Sequence, residues 1–193
     1  MCPSTPQGTP TFGSCLPRYA HLPARQARFL LLVFVILAAG VLWLAAAPRA
    51  TPLCGRVGAM LSVEDAAGRA PRVLADGETI ALGAKRMRWF DTPHVPHGWD
   101  AGYLAETSTR TLFCGDLFTQ AGADPTPVTE SDIVGPSEAM RSAMDYYSNP
   151  RAAAVQIERL AASEPALLAC MHGSSYRGDG AAALRSLAKM LSA

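Results

Sequence analysis

Residues 29–47 (FLLLVFVILAAGVLWLAAA) run for 19 positions without a charge or a proline. As a helix this run would reach about 28 Å at ~1.5 Å per residue, close to the ~30 Å hydrocarbon core of a bilayer. A soluble helix apolar on every side needs burial all round, which a short chain cannot easily supply. The run therefore predicts a transmembrane helix and a single-pass membrane protein, with a soluble cytoplasmic protein as the alternative if the start of the chain is mis-assigned. Residues 1–28 hold five prolines and no acid, and read as a flexible leader in which His21 stands alone. That leaves 51–193 to form the folded domain.

Charge divides along the same line. Of the 17 basic residues, Arg18, Arg25, Arg28, Arg49 and Arg56 precede the first acid, Glu64; the other 12 share 64–193 with all 16 acids, a balance of −4. The basic residues there are scattered and form no stripe, so no nucleic-acid partner is expected. Cys2, Cys15, Cys54, Cys114 and Cys170 contain no CxxC pair, which argues against a disulfide framework. Cys114 and Cys170 lie in apolar runs and read as small buried hydrophobes.

The pattern over 51–193 is α/β. Strands are expected over 56–63, 79–82, 85–90, 102–106, 111–114 and 167–171, with a turn at 75–78 (ADGE). Helices are expected over 137–147 and 151–162, each with a proline near its start, and over 181–191, where Leu184, Leu187 and Leu191 share one side.

Three stretches end a strand with a potential metal ligand: TPHVPHGWDAG (92–102), LFCGDLF (112–118) and ACMHGSS (169–175). Loops at strand ends on a rigid sheet are where ligands can converge. Together the stretches resemble the metal-binding motifs of the metallo-β-lactamase superfamily, and most nearly those of flavodiiron and related oxygen-binding diiron domains. In those domains a histidine of an HWPD-like loop lies 19 residues before a turn aspartate, as His97 does before Asp116, with Asp100 three after His97. The resemblance implies that His97 binds one metal, Asp116 bridges two and His172 binds the second; His94 competes with His97 for the first position. Imidazole and carboxylate suit zinc or iron, and the two oxygens of a carboxylate can span two cations. Trp89, Trp99 and Phe118 read as core or pocket wall.

The superfamily's first motif, HxHxDH, has no counterpart among the four histidines His21, His94, His97 and His172. The resemblance thus implies a partial metallo-β-lactamase αββα sandwich, its C-terminal half to two-thirds, preceded by the apolar helix. It implies a metallo-hydrolase-like protein whose activity is impaired or absent. Two other readings stand beside it: a diiron redox domain that binds O2 or NO, and a membrane-tethered, non-catalytic remnant or interaction module. One sheet of a sandwich leaves an apolar face, so a homodimer or a partner covering that face is also expected.

Overall fold

The computed structural model describes residues 46–63, 69–121 and 126–192, and the chain divides into two units, Met1–Pro48 and Arg49–Ala193. The expected membrane helix falls almost wholly outside the described residues. Among the described residues no helix is long and apolar enough to cross a membrane.

Strands β3 (Thr79–Leu82), β4 (Lys85–Asp91), β5 (Gly102–Glu106) and β6 (Thr111–Gly115) form an antiparallel meander. After β6 the chain runs through β7 (Val128–Thr129) and helices α2 (Val134–Met144) and α3 (Pro150–Ala161). It returns as β8 (Leu167–Cys170), parallel to β6. Strand β9 (Ser175–Arg177) pairs with β8, and α4 (Gly180–Ser192) closes the fold. The seven-stranded order is β3-β4-β5-β6-β8-β9-β7; β1 (Leu53–Cys54) and β2 (Arg72–Val73) make a separate parallel pair.

Local chemistry sets the helix boundaries. The Asp132 carboxylate accepts from the backbone N–H groups of Val134 (2.8 Å) and Gly135 (3.0 Å) at the start of α2. Asn149 caps α3 by accepting from Ala152 N–H at 3.1 Å, ahead of Pro150. Asp179 accepts from Ala182 N–H at 2.8 Å in the first turn of α4. Each carboxylate or amide oxygen satisfies donors that a helix start leaves unpaired.

The main core lies on one face of the sheet. There Tyr103, Ala105, Leu112, Cys114 and Leu168 meet Ile157 and Leu160 of α3 and Leu184, Leu187 and Leu191 of α4. On the other face Ile80, Met87 and Trp89 cluster with Leu74 and the half-buried Leu104. The register continues this second row from Trp89 to Leu104, Phe113 and Ala169. Phe113 is 47% exposed, so the row loses its cover toward β6 and β8. The described residues thus supply one sheet of the expected sandwich, with α3 and α4 on one face.

Two expectations need correction. The strand expected over 56–63 is helical: α1 (Arg56–Gly58) runs into a π-helical turn, Ala59–Val63. Met60 and Leu61 are exposed there, so no sheet face was available to reward alternation. The helix expected over 137–147 starts at Val134 and ends at Met144, with Asp145 left-handed at φ 34°. Pro136 sits in the first turn, where its missing N–H costs nothing.

The β5–β6 turn depends on Glu106. Its carboxylate accepts from Ser108 N–H (3.0 Å), Thr109 N–H (2.7 Å) and the Thr109 hydroxyl, and Lys85 lies 3.7 Å away. These bonds, the Thr109 hydroxyl first, hold its pKa down from 4.5 to about 2. The ionised form is bound more strongly in the folded state, so the stabilisation is complete above the unfolded value near 4.5. It is lost as pH falls toward about 2. Glu106→Gln should therefore lower the thermal midpoint at neutral pH, and the gap from wild type should close in acid. A gap that stays constant down to the acid limit would contradict this account.

Candidate metal centre

Asp116 stands one residue beyond β6, on a turn opened by Gly115 at φ 49°. Its own carbonyl accepts from the Thr119 hydroxyl at 2.7 Å, and Leu117 N–H donates to Cys114 O at 2.8 Å. His172 follows β8, whose parallel pairing with β6 brings the two strand ends level. Met171 N–H donates to Gly115 O across that gap at 3.2 Å. Gln120 ties both loops together: its N–H donates to His172 O (3.2 Å), and its side-chain amide donates to Phe118 O and Ser174 O (both 3.1 Å). A Cβ on Gly173 would lie 2.6 Å from the Gln120 Cβ, so only glycine fits beside it, at φ 94°.

His97 arrives from the loop between β4 and β5. Thr92 and Val95 are buried at its base. Thr92 N–H donates to Ala101 O at 3.0 Å, and the Tyr103 hydroxyl donates to Val95 O at 2.9 Å. Burial pushes the Tyr103 phenol well above its usual range, so it remains a donor.

The three sequence-selected side chains meet. His97 Nε2 lies 3.1 Å from Asp116 Oδ2, and His172 Nε2 lies 3.3 Å from Asp116 Oδ1. Each imidazole thus faces its own carboxylate oxygen. They line an open cavity of about 310 Å³ together with Thr119, Gln120, Met140, Met144 and Tyr146. His94 is elsewhere: it is exposed, at φ 67°, with its ring edge-on to Trp99 at 6.4 Å. Asp100 is exposed beside Gly58.

Trp89 and Phe118 are buried as expected, but Trp99 is 66% exposed. Cys114 is buried, and burial pushes its thiol up; Cys170, half-buried next to it, is held down by a hydrogen bond from Cys114. The sequence did not single out Gln120, Met140, Met144 or Tyr146 as site residues. Only the repeat of methionine at i and i+4 on one helix could have marked a wall.

As donors, two imidazoles on opposite oxygens of one carboxylate suit a carboxylate-bridged pair of ions better than a single ion. Among the described residues no group of three or more His, Cys, Asp or Glu side chains converges on one metal position. A catalytic ion typically takes about three protein ligands, so these three donors fit part of a two-metal centre and not a complete one.

No protein-family model matches the sequence, and no curated protein matches it. Solved structures do. Rubredoxin oxygen:oxidoreductase from Desulfovibrio gigas aligns at 21% identity and TM-score 0.56, over 72% of this chain and 37% of that one. The metal-soaked Flv1 flavodiiron core from Synechocystis sp. PCC6803 aligns at 23% identity and TM-score 0.60, over 78% and 39%. The chemotaxis sensor ODP from T. denticola, in its apo state, aligns at 17% identity and TM-score 0.57, over 75% and 59%. The chain spans between about a third and three-fifths of the length of these proteins. The sheet order, the strand-end loops and these alignments together give the chain a partial metallo-β-lactamase-type fold, close to that of flavodiiron proteins.

Proposed function

We propose that His97, Asp116 and His172 are this chain's share of a diiron-type site that binds O2 or NO. The observation that carries the reading is the division of the Asp116 carboxylate between two imidazoles, at 3.1 and 3.3 Å. The structural neighbours include flavodiiron proteins and a chemotaxis sensor with a peroxy diiron species, which supports iron over zinc and ligand binding over hydrolysis.

Iron, when bound, would supply the redox and Lewis-acid chemistry. The chain's own residues do the rest. Asp116 would hold the ions together with the two histidines, and its negative charge would offset repulsion between two dications. His97 and His172 would each supply a ring nitrogen as a ligand. Gln120 fixes the spacing of the Asp116 and His172 loops through three hydrogen bonds. Met140, Met144 and Tyr146 give the cavity a largely apolar wall suited to a small neutral ligand.

Anaerobic loading with Fe(II), removal of excess metal and elemental analysis test this. With three donors for two positions, less than one equivalent should survive dialysis against a chelator. His97→Ala and His172→Ala should each reduce uptake before dialysis, and His94→Ala should leave it unchanged. Two firmly held zinc ions, or uptake indifferent to His97 and His172, would defeat the reading.

A further inference from the structure

Four buried side-chain atoms make no well-aligned hydrogen bond within 3.5 Å among the described residues: Ser137 Oγ, Glu138 Oε1, Tyr146 OH and Tyr147 OH. They come from one place, the first turns of α2 and the segment just past its end. Ser137 is fully buried, Tyr147 is 5% exposed, and the two tyrosine rings lie 4.9 Å apart. Glu138 spends its Oε2 on Arg141, at 2.7–2.8 Å, which leaves Oε1 facing the interior. Folded proteins leave few such atoms unpaired, and these four lie together.

We propose that these four groups enclose a hydration site, in which ordered water completes their hydrogen bonds. Buried water typically bridges about three polar groups of this kind. Its two donors and two acceptors suit the set: Glu138 Oε1 only accepts, while each hydroxyl brings one donor and can also accept. Burial pushes both phenols above their usual range, which keeps them protonated as donors. Tyr146 also lines the 310 Å³ cavity of the candidate metal centre, with its hydroxyl turned away from solvent. Water held there would fix the direction of the Tyr146 hydroxyl at the cavity wall. This inference does not depend on any metal being bound.

The rival is direct pairing, because Ser137, Tyr147 and Thr119 are the hydroxyl neighbours of Tyr146 and hydroxyls rotate. A high-resolution crystal structure of the full chain, with Tyr147→Phe and Ser137→Ala beside wild type, separates the two. Ordered water within hydrogen-bond reach of Tyr147 OH and Ser137 Oγ is expected, and each substitution should displace it. Each should also lower the thermal midpoint by about 2–4 °C. Hydroxyls bonded directly to one another with no water between them would overturn the proposal. So would a midpoint that rises in Tyr147→Phe, because removing a truly unpaired buried hydroxyl relieves its desolvation penalty.

Discussion

Asp116→Ala is expected to weaken Fe(II) or Co(II) binding by about 100-fold or more, and to do so without unfolding the chain. Loss of a group that merely orients a ligand costs roughly 10–100-fold, so loss of Asp116, proposed above as the bridging ligand, should exceed that range. Asp116 is 34% exposed and its partners His97 and His172 are more than half exposed, so no buried charge is orphaned by the change. Stability should shift by no more than about 0.5 kcal/mol, as for surface substitutions generally. Calorimetric titration and a thermal melt on the same sample check both halves. Affinity unchanged without Asp116 would show that the aspartate is only a hydrogen-bond acceptor for two histidines.

Leu168→Ala should have the largest effect on stability. Leu168 is fully buried on β8, between the paired strands and helices α3 and α4. Deleting a leucine side chain at such a place costs about 2–5 kcal/mol, because the cavity collapses only in part. The thermal midpoint should fall by roughly 4–20 °C at about 2–4 °C per kcal/mol. Val155→Ala on the exposed side of α3, where Val155 is 66% exposed, serves as the control and should be nearly silent. Equal losses at the two positions would mean that α3 presents its other face to the sheet.

The meander was legible because alternation and turn chemistry agreed. Thr79–Leu82 and Gly102–Glu106 fall where the pattern put them. Helix α4 was legible because Leu184, Leu187 and Leu191 repeat at helical spacing, and all three are buried. Asp116 and His172 were paired through the resemblance of their strand-end motifs to a known metal-binding family, and β6 and β8 do lie side by side. Residues 56–63 misled because Val57, Met60 and Leu61 carry no period strong enough to outweigh the absence of a sheet edge. Trp99 misled because size argues for burial while its position at a loop tip does not. Gln120 was invisible because its role is in the backbone carbonyls it reaches, and sequence spacing does not reveal which carbonyls those will be.

The parallel pairing of β6 with β8 also makes the site a closure point. Asp116 and His172 are separated along the chain by the whole excursion through β7, α2 and α3, and they meet only when that excursion docks. Any ion held by both acts as a clasp across the loop, adding stability as RT ln(1 + [L]/Kd). The helices furthest from the ion gain from it as much as the turn that grips it, since undocking α3 would separate the two strand ends. Occupancy of a surface cleft would therefore be readable in slowed amide exchange at Ile157 and Leu160, in the interior on the opposite side of β8 from solvent.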